Sequence, residues 1–281
     1  MPNTINGSTL NICPHNIMNC LCHQMNRYYA MTGEYKYFKN EYVDDVDIQN
    51  NYFKPMLDDI FAVFGTKIRV VGDIGCGNGF YTAYLKDLHV IQLHGIDASK
   101  YALQCALAKG FDHVYCCSDF SAVPLPMDNE SCDFLVNKDV LEHLLDPDFL
   151  VAEMARVLKP EGLVLIHVPN DFNVFKRIQF VVKQDTDTYN YFPESQQWNK
   201  PHIRFYTEKG INELMKQNGF TCIKDYSDYF ACNVRLINRI PGYRYVMRRL
   251  ARLSPTQFSQ GLTFLFQKNQ ANTHDAGISF A

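Results

Sequence analysis

The chain has 281 residues, of which 47% are hydrophobic, and its 27 Lys and Arg against 30 Asp and Glu give a formal net charge of −3. This composition fits a large α/β domain and excludes a globally disordered chain. The charge gives no whole-protein case for nucleic-acid binding. The sequence contains no run of 18 apolar residues of the kind that spans a membrane. The N-terminus lacks the pattern of a secretory signal. We therefore expect a cytoplasmic protein with reduced cysteines.

The N-terminal 65 residues are predicted to form an arm followed by a helical cap. Residues 13–23 read CPHNIMNCLCH and contain five potential zinc ligands: Cys13, His15, Cys20, Cys22 and His23. Their spacing is not the paired C-x-x-C of a zinc ribbon, so local packing is favoured over a metal site. Apolar residues recur at helical spacing over 48–64, and Gly65 follows as a stop.

Residues 66–270 alternate apolar runs with helical patterns, which predicts a Rossmann-like, doubly wound, mostly parallel α/β sheet of seven strands. A helix through Leu85 is expected after the first strand, and Ser99 and Asp146 are expected to cap later helices. A further helix is expected over 207–218. The predicted strands are 68–74, 90–96, 112–117, 132–137, 162–168, 220–225 and 261–269.

Three other segments break this alternation. Residues 170–203 are rich in Asn, Asp, Phe and Tyr and are too long for an ordinary connection, which predicts an inserted lid. Residues 229–257 form a second insertion, rich in Arg, and residues 271–281 form a tail.

The stretch VVGDIGCGNGF, residues 70–80, predicts a glycine turn after the first strand. Nicotinamide-binding folds use G-x-G-x-x-G, whereas Gly75, Gly77 and Gly79 form G-x-G-x-G and Phe80 follows. Asp73 would repel a pyrophosphate but would accept hydrogen bonds from an ammonium group. Backbone N–H groups at the start of the expected helix suit an anion. The turn therefore favours a ligand that carries both ends of an amino acid.

Several ordered motifs extend this pattern: HGIDASKYAL, CSDFSAVPLPMDNESCDFL, DVLEH, ARVLKPEGLVLIHVPN and HIRFYTEKGINELMKQNGF. Together with VGDIGCGNG they resemble class I S-adenosylmethionine-dependent methyltransferases, in particular the methyltransferase type 11 and ubiquinone-biosynthesis O-methyltransferase groups. The resemblance covers residues 66–170 well and extends through 202–220. It implies an enzyme that uses S-adenosyl-L-methionine as its cofactor.

The resemblance also implies roles for single residues. Gly75 and Gly77 would let the backbone approach the methionine part of the cofactor, and Asp73 would hold its ammonium group. Asp97 would accept hydrogen bonds from the ribose hydroxyls, and Asp119 would accept one from the adenine amino group. A helix cap or a solvated loop is the alternative for each acid. The full implied set is Asp73, Gly75, Gly77, Asn78, Asp97, Ala98, Asp119, Phe120 and Lys138.

Methyl transfer to an oxygen requires removal of a proton, and histidine titrates in the right range. His143 is the first candidate for this base, His202 the second, and His167 is interpreted as a core residue. Asp139, Glu142 and His143 form D-x-x-E-H, which resembles the E-x-x-E-H of ubiquinone-biosynthesis enzymes and raises Mg²⁺ as an alternative. The motif D-V-L-E-H also occurs in members that need no metal.

The Arg-rich insertion has no Asp or Glu between residues 229 and 274. On a helical wheel, Tyr243, Val246, Met247, Leu250 and Leu253 share one arc, and Arg244, Arg248, Arg249 and Arg252 share the other; Arg235 and Arg239 precede them. This amphipathic helix is interpreted as packing on its own domain with a solvated basic face. The alternative is peripheral contact of residues 235–253 with anionic lipid, or with a lipid-linked acceptor.

The leading hypothesis is methyl transfer to a small-molecule or lipid- or glycan-pathway acceptor, most simply on oxygen. The alternatives are a nicotinamide-dependent oxidoreductase and a non-catalytic cofactor-binding subunit. Nucleic-acid methylation is disfavoured, because NKDV at residues 137–140 stands where an N-P-P-Y-type tetrapeptide would be. Tyr28, Tyr29, Tyr35 and Tyr37 are interpreted either as part of the acceptor pocket or as ordinary packing.

Overall fold

A computed structural model describes residues 52–183, 202–232 and 240–270, together with the backbone of residues 4–5 and 8–12. The Cys and His cluster of residues 13–23, the four tyrosines between 28 and 37, and the tail lie outside the described residues. So do residues 184–201 of the expected lid, and Arg235 and Arg239.

The described strands form one mixed sheet in the order β1-β2-β5-β4-β3-β6-β7-β9-β8. All seven predicted strands are present in it. β9 runs antiparallel to β7 and β8, whereas β3 to β7 are parallel to their neighbours within that set. The strands are β1 (Thr4–Ile5), β2 (Ser8–Ile12), β3 (Val70–Ile74), β4 (Gln92–Asp97), β5 (His113–Cys116), β6 (Cys132–Lys138), β7 (Leu158–Pro169), β8 (Phe220–Asp225) and β9 (Gly261–Lys268).

Two strands of the N-terminal arm extend this sheet, and the sequence did not predict them. β2 pairs in parallel with β5, from Thr9 opposite His113 to Ile12 opposite Cys116. β1 pairs antiparallel with β2 at the outer edge. Residues 1–25 carry no clear hydrophobic period, so this pairing has no local signal and depends on a partner strand about 100 residues away.

Seven α-helices and three 3₁₀ segments connect the described strands. The two expected caps are confirmed: the side chains of Ser99 and Asp146 accept hydrogen bonds from backbone N–H groups of their own helices. Thr207, expected only to begin a helix, caps its helix in the same way. The helices are α1 (Lys54–Phe64), α2 (Lys100–Ala108), α3 (Pro147–Val157), α4 (Val174–Lys183), α5 (Glu208–Gln217), α6 (Tyr243–Leu253) and α7 (Pro255–Phe258). The 3₁₀ segments are Ala83–Leu88, Leu141–His143 and Ser227–Phe230.

Two connections differ from the sequence-based expectation. No α-helix follows the glycine turn: Ala83–Leu88 is a 3₁₀ segment, which His89 ends at a φ of 68°. The left-handed glycines before it are incompatible with a regular helix, so the expected helix N-terminus is absent there. Within the expected lid, Val174–Lys183 is helical, as α4.

Apolar clusters cover both faces of the sheet. One joins strand side chains such as Ile74 and Leu135 to α3 and α5. The other joins Val71 and Phe134 to α1 and α2. Because successive residues of β3 and β6 alternate between the clusters, both strands are buried on both faces. The helical cap α1 is therefore part of the central core.

β3 occupies the centre of the sheet, with β4 on one side and β6 on the other. Chain connections diverge at this point, and the carboxyl ends of these three strands share one edge. Ligands of open α/β sheets bind at this position. Among the described residues, no helix is long and apolar enough to cross a membrane.

Candidate active site

The loop after β3 owes its shape to three glycines with left-handed backbones. Gly75, Gly77 and Gly79 have φ values of 76°, 54° and 74°. Other residues adopt such values only with strain, which explains the G-x-G-x-G spacing. A Cβ on Gly75 would lie 2.2 Å from Val140 Cγ2, and a Cβ on Gly79 would lie 2.5 Å from Phe111 Cε2. The loop is thus packed tightly against the residues that follow β6.

Asp97, the last residue of β4, joins this loop to the neighbouring strand. Its Oδ2 accepts a hydrogen bond from the Gly77 N–H at 2.8 Å, and its Oδ1 accepts one from the Ser99 N–H at 2.8 Å. Burial raises the pKa of this carboxyl, against the opposing effect of the backbone donors of Ser99, Gly77 and Ala98. Because the two carboxylate oxygens together offer about four lone pairs, the carboxylate can still accept from a further donor.

Asp73 lies within β3 and is 5% exposed. Burial raises its pKa to about 7, the Thr82 hydroxyl lowers it, and Asp97 raises it further. Thr82 Oγ1 donates to Asp73 Oδ2 and thereby ties the end of the glycine loop back to the strand. Thr82 is fully buried, and no sequence motif pointed to it.

The other expected cofactor residues follow the carboxyl ends of β3, β4 and β5. Asn78 is buried, and its Oδ1 accepts a hydrogen bond from the Phe80 N–H at 3.1 Å. The Ala98 carbonyl accepts from Cys116 Sγ at 3.6 Å. Asp119 lies beyond the end of β5, and its Oδ1 accepts from the Ser121 N–H at 2.8 Å. The side chain of Phe120 is buried.

The end of β6 carries a charged pair. Lys138 forms an ion pair with Asp139, and its Nζ lies 5.1 Å from the centroid of the Tyr81 ring. Burial opposes the charge on Lys138, but Asp139 outweighs it and raises the pKa of this lysine. Asp139 Oδ1 also lies 3.6 Å from His167 Nε2.

His167 is buried in β7, as expected of a core histidine. Its Nδ1 lies 2.6 Å from Thr263 Oγ1 on β9. Burial lowers the pKa of His167 to about 4, against the opposing effect of Asp139, so the ring is neutral at pH 7. Its second contact, with Asp139, connects this core position to the rim of the site.

The structure brings the two predicted base candidates together around Glu142. His143 Nε2 lies 3.8 Å from Glu142 Oε1, and His202 Nε2 lies 3.9 Å from the same oxygen. The imidazole centroids of the two histidines are 4.9 Å apart. Backbone hydrogen bonds from Ile203 and Arg204 to the Glu142 carbonyl hold the distant segment in place. Asp171 Oδ2 lies 3.8 Å from His202 Nδ1.

Glu142 is fully buried at the centre of this cluster. Neither of its carboxylate oxygens has a hydrogen-bond partner within the described part of the chain. Burial raises its pKa well above the ordinary value, and the neighbouring charge of Asp139 raises it further. An imidazolium that forms beside it would favour the ionised carboxylate, so this arrangement can stabilise a histidine that has accepted a proton.

The potential ligand set differs from the one that the D-x-x-E-H pattern indicated. Glu142, His143 and His202 each offer one ligand atom within 4.8 Å of the others, whereas Asp139 is paired with Lys138. Mg²⁺ takes oxygen ligands in octahedral geometry. Two imidazoles and one carboxylate do not match this preference, so the cluster is not suited to bind Mg²⁺.

The family model of a methyltransferase domain matches residues 72–166. A tRNA (carboxymethyluridine(34)-5-O)-methyltransferase of Mus musculus, ALKBH8, is 29% identical over 154 residues, which cover 51% of this chain and 22% of the relative. A ubiquinone biosynthesis O-methyltransferase of Glaesserella parasuis is 30% identical over 116 residues, which cover 39% of this chain and 48% of the relative. The chain therefore spans less than half the length of either relative.

Solved structures support the fold. The crystal structure of magnesium protoporphyrin IX methyltransferase from Synechocystis, with bound SAH, aligns with a TM-score of 0.53 at 14% sequence identity. This alignment covers 88% of this chain and 100% of the other. At this identity the likeness concerns the fold alone, and it confirms the expected Rossmann-like α/β architecture.

Proposed function

We propose that this chain is a class I S-adenosylmethionine-dependent methyltransferase, as the match of residues 72–166 to the methyltransferase family model supports, and that it methylates an oxygen atom of a small-molecule or a lipid- or glycan-pathway acceptor. His143 or His202 removes the acceptor proton in this proposal. The observation that carries it is the cluster of Glu142, His143 and His202 beside the glycine loop. Val140, which packs against Gly75, connects the two parts of the site.

The residues at the strand ends fit the cofactor. S-adenosylmethionine supplies, when bound, a methyl group on a sulfonium that is already a good leaving group. We assign Asp97 to its ribose hydroxyls, because the carboxylate ends β4 and can accept beyond its backbone donors. Asp73, once ionised, holds the ammonium group. The left-handed φ values of Gly75 and Gly77 let the backbone turn sharply at the end of β3, where the methionine part of the cofactor would lie. Asn78, Ala98, Asp119, Phe120 and Lys138 complete the proposed cofactor residues.

Two features support an oxygen acceptor. An alcohol or a phenol must lose its proton during methyl transfer, and two imidazoles near a buried carboxylate are suited to accept it. The names of both relatives specify transfer to oxygen, on tRNA in one and in ubiquinone biosynthesis in the other. The net charge of −3 favours the small-molecule and lipid classes over RNA.

His143→Asn and His202→Asn test the base assignment. We expect one of them to lower kcat by about 100- to 10,000-fold, the range of general-base catalysis, with unchanged affinity for S-adenosylhomocysteine. His89→Asn is the control: this histidine is exposed and left-handed, a backbone that asparagine tolerates. Full activity in both single variants would overturn the assignment, and loss of turnover with EDTA would favour a metal-dependent mechanism instead.

The acceptor class is tested with methyl-labelled cofactor and a cell extract separated into lipid, RNA and small polar fractions. We expect label in the lipid or the small polar fraction, as an ether or an ester. Label in RNA would contradict the proposed acceptor class. Binding of the cofactor with no labelled product in any fraction would favour a non-catalytic subunit.

A further inference from the structure

Helix α4 exposes apolar side chains that a helix packed on a core would bury. Ile178, Val181 and Val182 are 55%, 76% and 75% exposed. Gln179 instead turns inward, and its Nε2 is buried with no hydrogen-bond partner among the described residues. A helix at the surface of a water-soluble protein buries its apolar side chains and exposes its polar ones. The exposed side of α4 is therefore suited to an apolar environment.

Helix α6 also exposes apolar residues, in contrast to the expected packing of its whole apolar arc. Only Met247 and Ala251 of this helix are buried. Tyr245 and Leu253 are 63% and 83% exposed, at positions four residues to either side of Arg249. Arg249 donates two hydrogen bonds to the Tyr245 hydroxyl. The outward face of α6 thus combines apolar side chains with a guanidinium.

The two helices belong to one surface. Phe175 of α4 packs against the small cluster that contains Met247 and Ala251 of α6. Arg177 of α4 donates a hydrogen bond to Gln257 of α7. We call the exposed residues on these helices the basic apolar surface: Arg177, Ile178, Phe180, Val181, Val182, Arg244, Tyr245, Val246, Arg249 and Leu253.

Helices α4 and α6 carry basic residues and no acidic ones. The sequence contains no Asp or Glu from 172 to 183 or from 229 to 274. The nearest acid in the preceding 3₁₀ segment, Asp228, is paired with Arg248 and Arg252, at 3.1 Å and 2.8 Å. These two arginines are therefore ion-paired, and their side chains remain 43% and 61% exposed, so Asp228 partly neutralises the expected solvated basic face. Arg177, Arg244 and Arg249 remain at the surface with no acidic neighbour on their own helices.

We propose that the basic apolar surface binds the anionic headgroups and the outer acyl region of a lipid bilayer. Helices that lie in the membrane interface combine exposed apolar residues with Lys and Arg. Each Lys or Arg near an anionic membrane strengthens binding by about fivefold, because it contributes about 1 kcal/mol. A neutral apolar partner would gain nothing from the one-signed charge, which is why the lipid surface is the occupant that fits.

The basic apolar surface begins next to the candidate active site. Phe172 precedes α4 and directly follows Asp171, which is 3.8 Å from His202. Its ring centroid is 6.0 Å from that of Phe205, and both rings are exposed. If the proposed function holds, a bound bilayer would place lipid-linked acceptors near the proposed base.

Co-sedimentation of the full chain with vesicles tests the proposal. We expect binding to vesicles of phosphatidylcholine with 30% phosphatidylserine at ~0.1 M salt, at least about tenfold stronger than to pure phosphatidylcholine, and weaker binding as salt screens the charges. Arg244→Gln with Arg249→Gln should weaken binding about 25-fold, at about fivefold per arginine. Val181→Ser with Val182→Ser should weaken it at least about tenfold.

Matched control variants distinguish binding by this surface from nonspecific binding to vesicles. Val63→Ser with Ile91→Ser changes two side chains of similar exposure, 63% and 62%, at other places on the protein. Lys67→Gln with Lys100→Gln removes two exposed charges elsewhere. Equal binding to both vesicles, no binding to either, or equal losses in controls and variants would overturn the proposal, as would a dimer whose formation needs the same residues. Calorimetry with S-adenosylhomocysteine reports separately on the proposed cofactor site.

Discussion

Asp73 combines deep burial with a pKa of about 7, and its position below the glycine loop makes that value relevant to binding. In the free protein the raised pKa destabilises the fold as pH rises from 3.8 to about 7, because the unfolded chain then releases a proton that the buried carboxyl of the folded protein still holds. An ammonium ligand reverses this preference, since it favours the ionised carboxylate. Ligand binding should therefore expel a proton from Asp73 at acidic pH.

This linkage predicts a pH-dependent affinity for S-adenosylhomocysteine, which carries the same amino-acid end as the cofactor. We expect the affinity to be constant above about pH 7 and to fall toward tenfold per pH unit below it. Asp73→Asn should bind more weakly and should lose this dependence. Calorimetry between pH 5.5 and 8.5, in buffers of different ionisation enthalpy, measures both affinity and proton release. A wild-type affinity that is flat over this range would contradict the assignment of Asp73.

At the same scale, the sequence predicted which residue types lie at the strand ends but not their partners. Asp97 and Gly77 are 20 residues apart, and their hydrogen bond follows from adjacent parallel strands. Glu142 and His202 are 60 residues apart, and the chain between them includes the segment outside the described residues. Their proximity depends on backbone hydrogen bonds to the Glu142 carbonyl, which no local pattern encodes. Thr82 was missed because a single threonine carries no motif.

Among the elements, those with a local chemical signal were predicted best. Ser99 and Asp146 cap their helices as expected, since a cap requires only a side-chain oxygen two or three residues before the N–H group that donates to it. The glycine turn was predicted, but its continuation was not. Three left-handed residues in five positions prevent a regular helix from starting there. The exposure of apolar side chains on α4 had no signal in the sequence, because exposure is set by tertiary packing.

The glycine loop allows a paired test of backbone and packing effects. Gly75 and Gly110 both have a left-handed φ, of 76° and 105°, but a Cβ on Gly110 would meet no atom within 4 Å. We expect Gly110→Ala to lower the free energy of unfolding by about 1–2 kcal/mol from backbone strain alone. Gly75→Ala should cost about 2–5 kcal/mol, because contact with Val140 adds overpacking.

Chemical denaturation measures both variants. S-adenosylhomocysteine binding should weaken in Gly75→Ala and should be unchanged in Gly110→Ala. Equal losses of stability in the two variants would mean that the loop shifts away from Val140 without cost. Contact with Val140 would then not be a reason for glycine at position 75.

For the whole molecule, the alternation of strands and helices predicted the sheet, whereas its edge depended on long-range pairing. β1 and β2 have two and five residues, include Thr and Asn, and gain their order from β5. Strands this short have weak intrinsic preferences, so tertiary pairing decides them. The expected boundary between the helical cap and the domain, at residue 65, was likewise inferred from local sequence patterns alone. α1 shares a core cluster with β3 and β6 across that boundary.

The integration of α1 into the core leads to a prediction about cooperativity. Leu57 is fully buried, whereas Val63 on the same helix is 63% exposed. Leu57→Ala should lower the free energy of unfolding by about 2–5 kcal/mol, and Val63→Ala should change it by less than about 0.5 kcal/mol. α1 is also linked to the sheet edge through Asp59, which accepts hydrogen bonds from Tyr226 at 2.7 Å and Lys224 at 2.6 Å. Unfolding of α1 should therefore expose the sheet.

Urea unfolding followed by far-UV and near-UV circular dichroism distinguishes a shared core from a separable cap. We expect the two signals of Leu57→Ala to fall in one transition, at a lower urea concentration than in the wild type, with the slope unchanged. S-adenosylhomocysteine should raise the midpoint of both variants, because binding to the folded form stabilises the whole cooperative unit. A separable cap would instead give an early transition that the ligand does not shift, and the remaining domain would unfold at the wild-type midpoint.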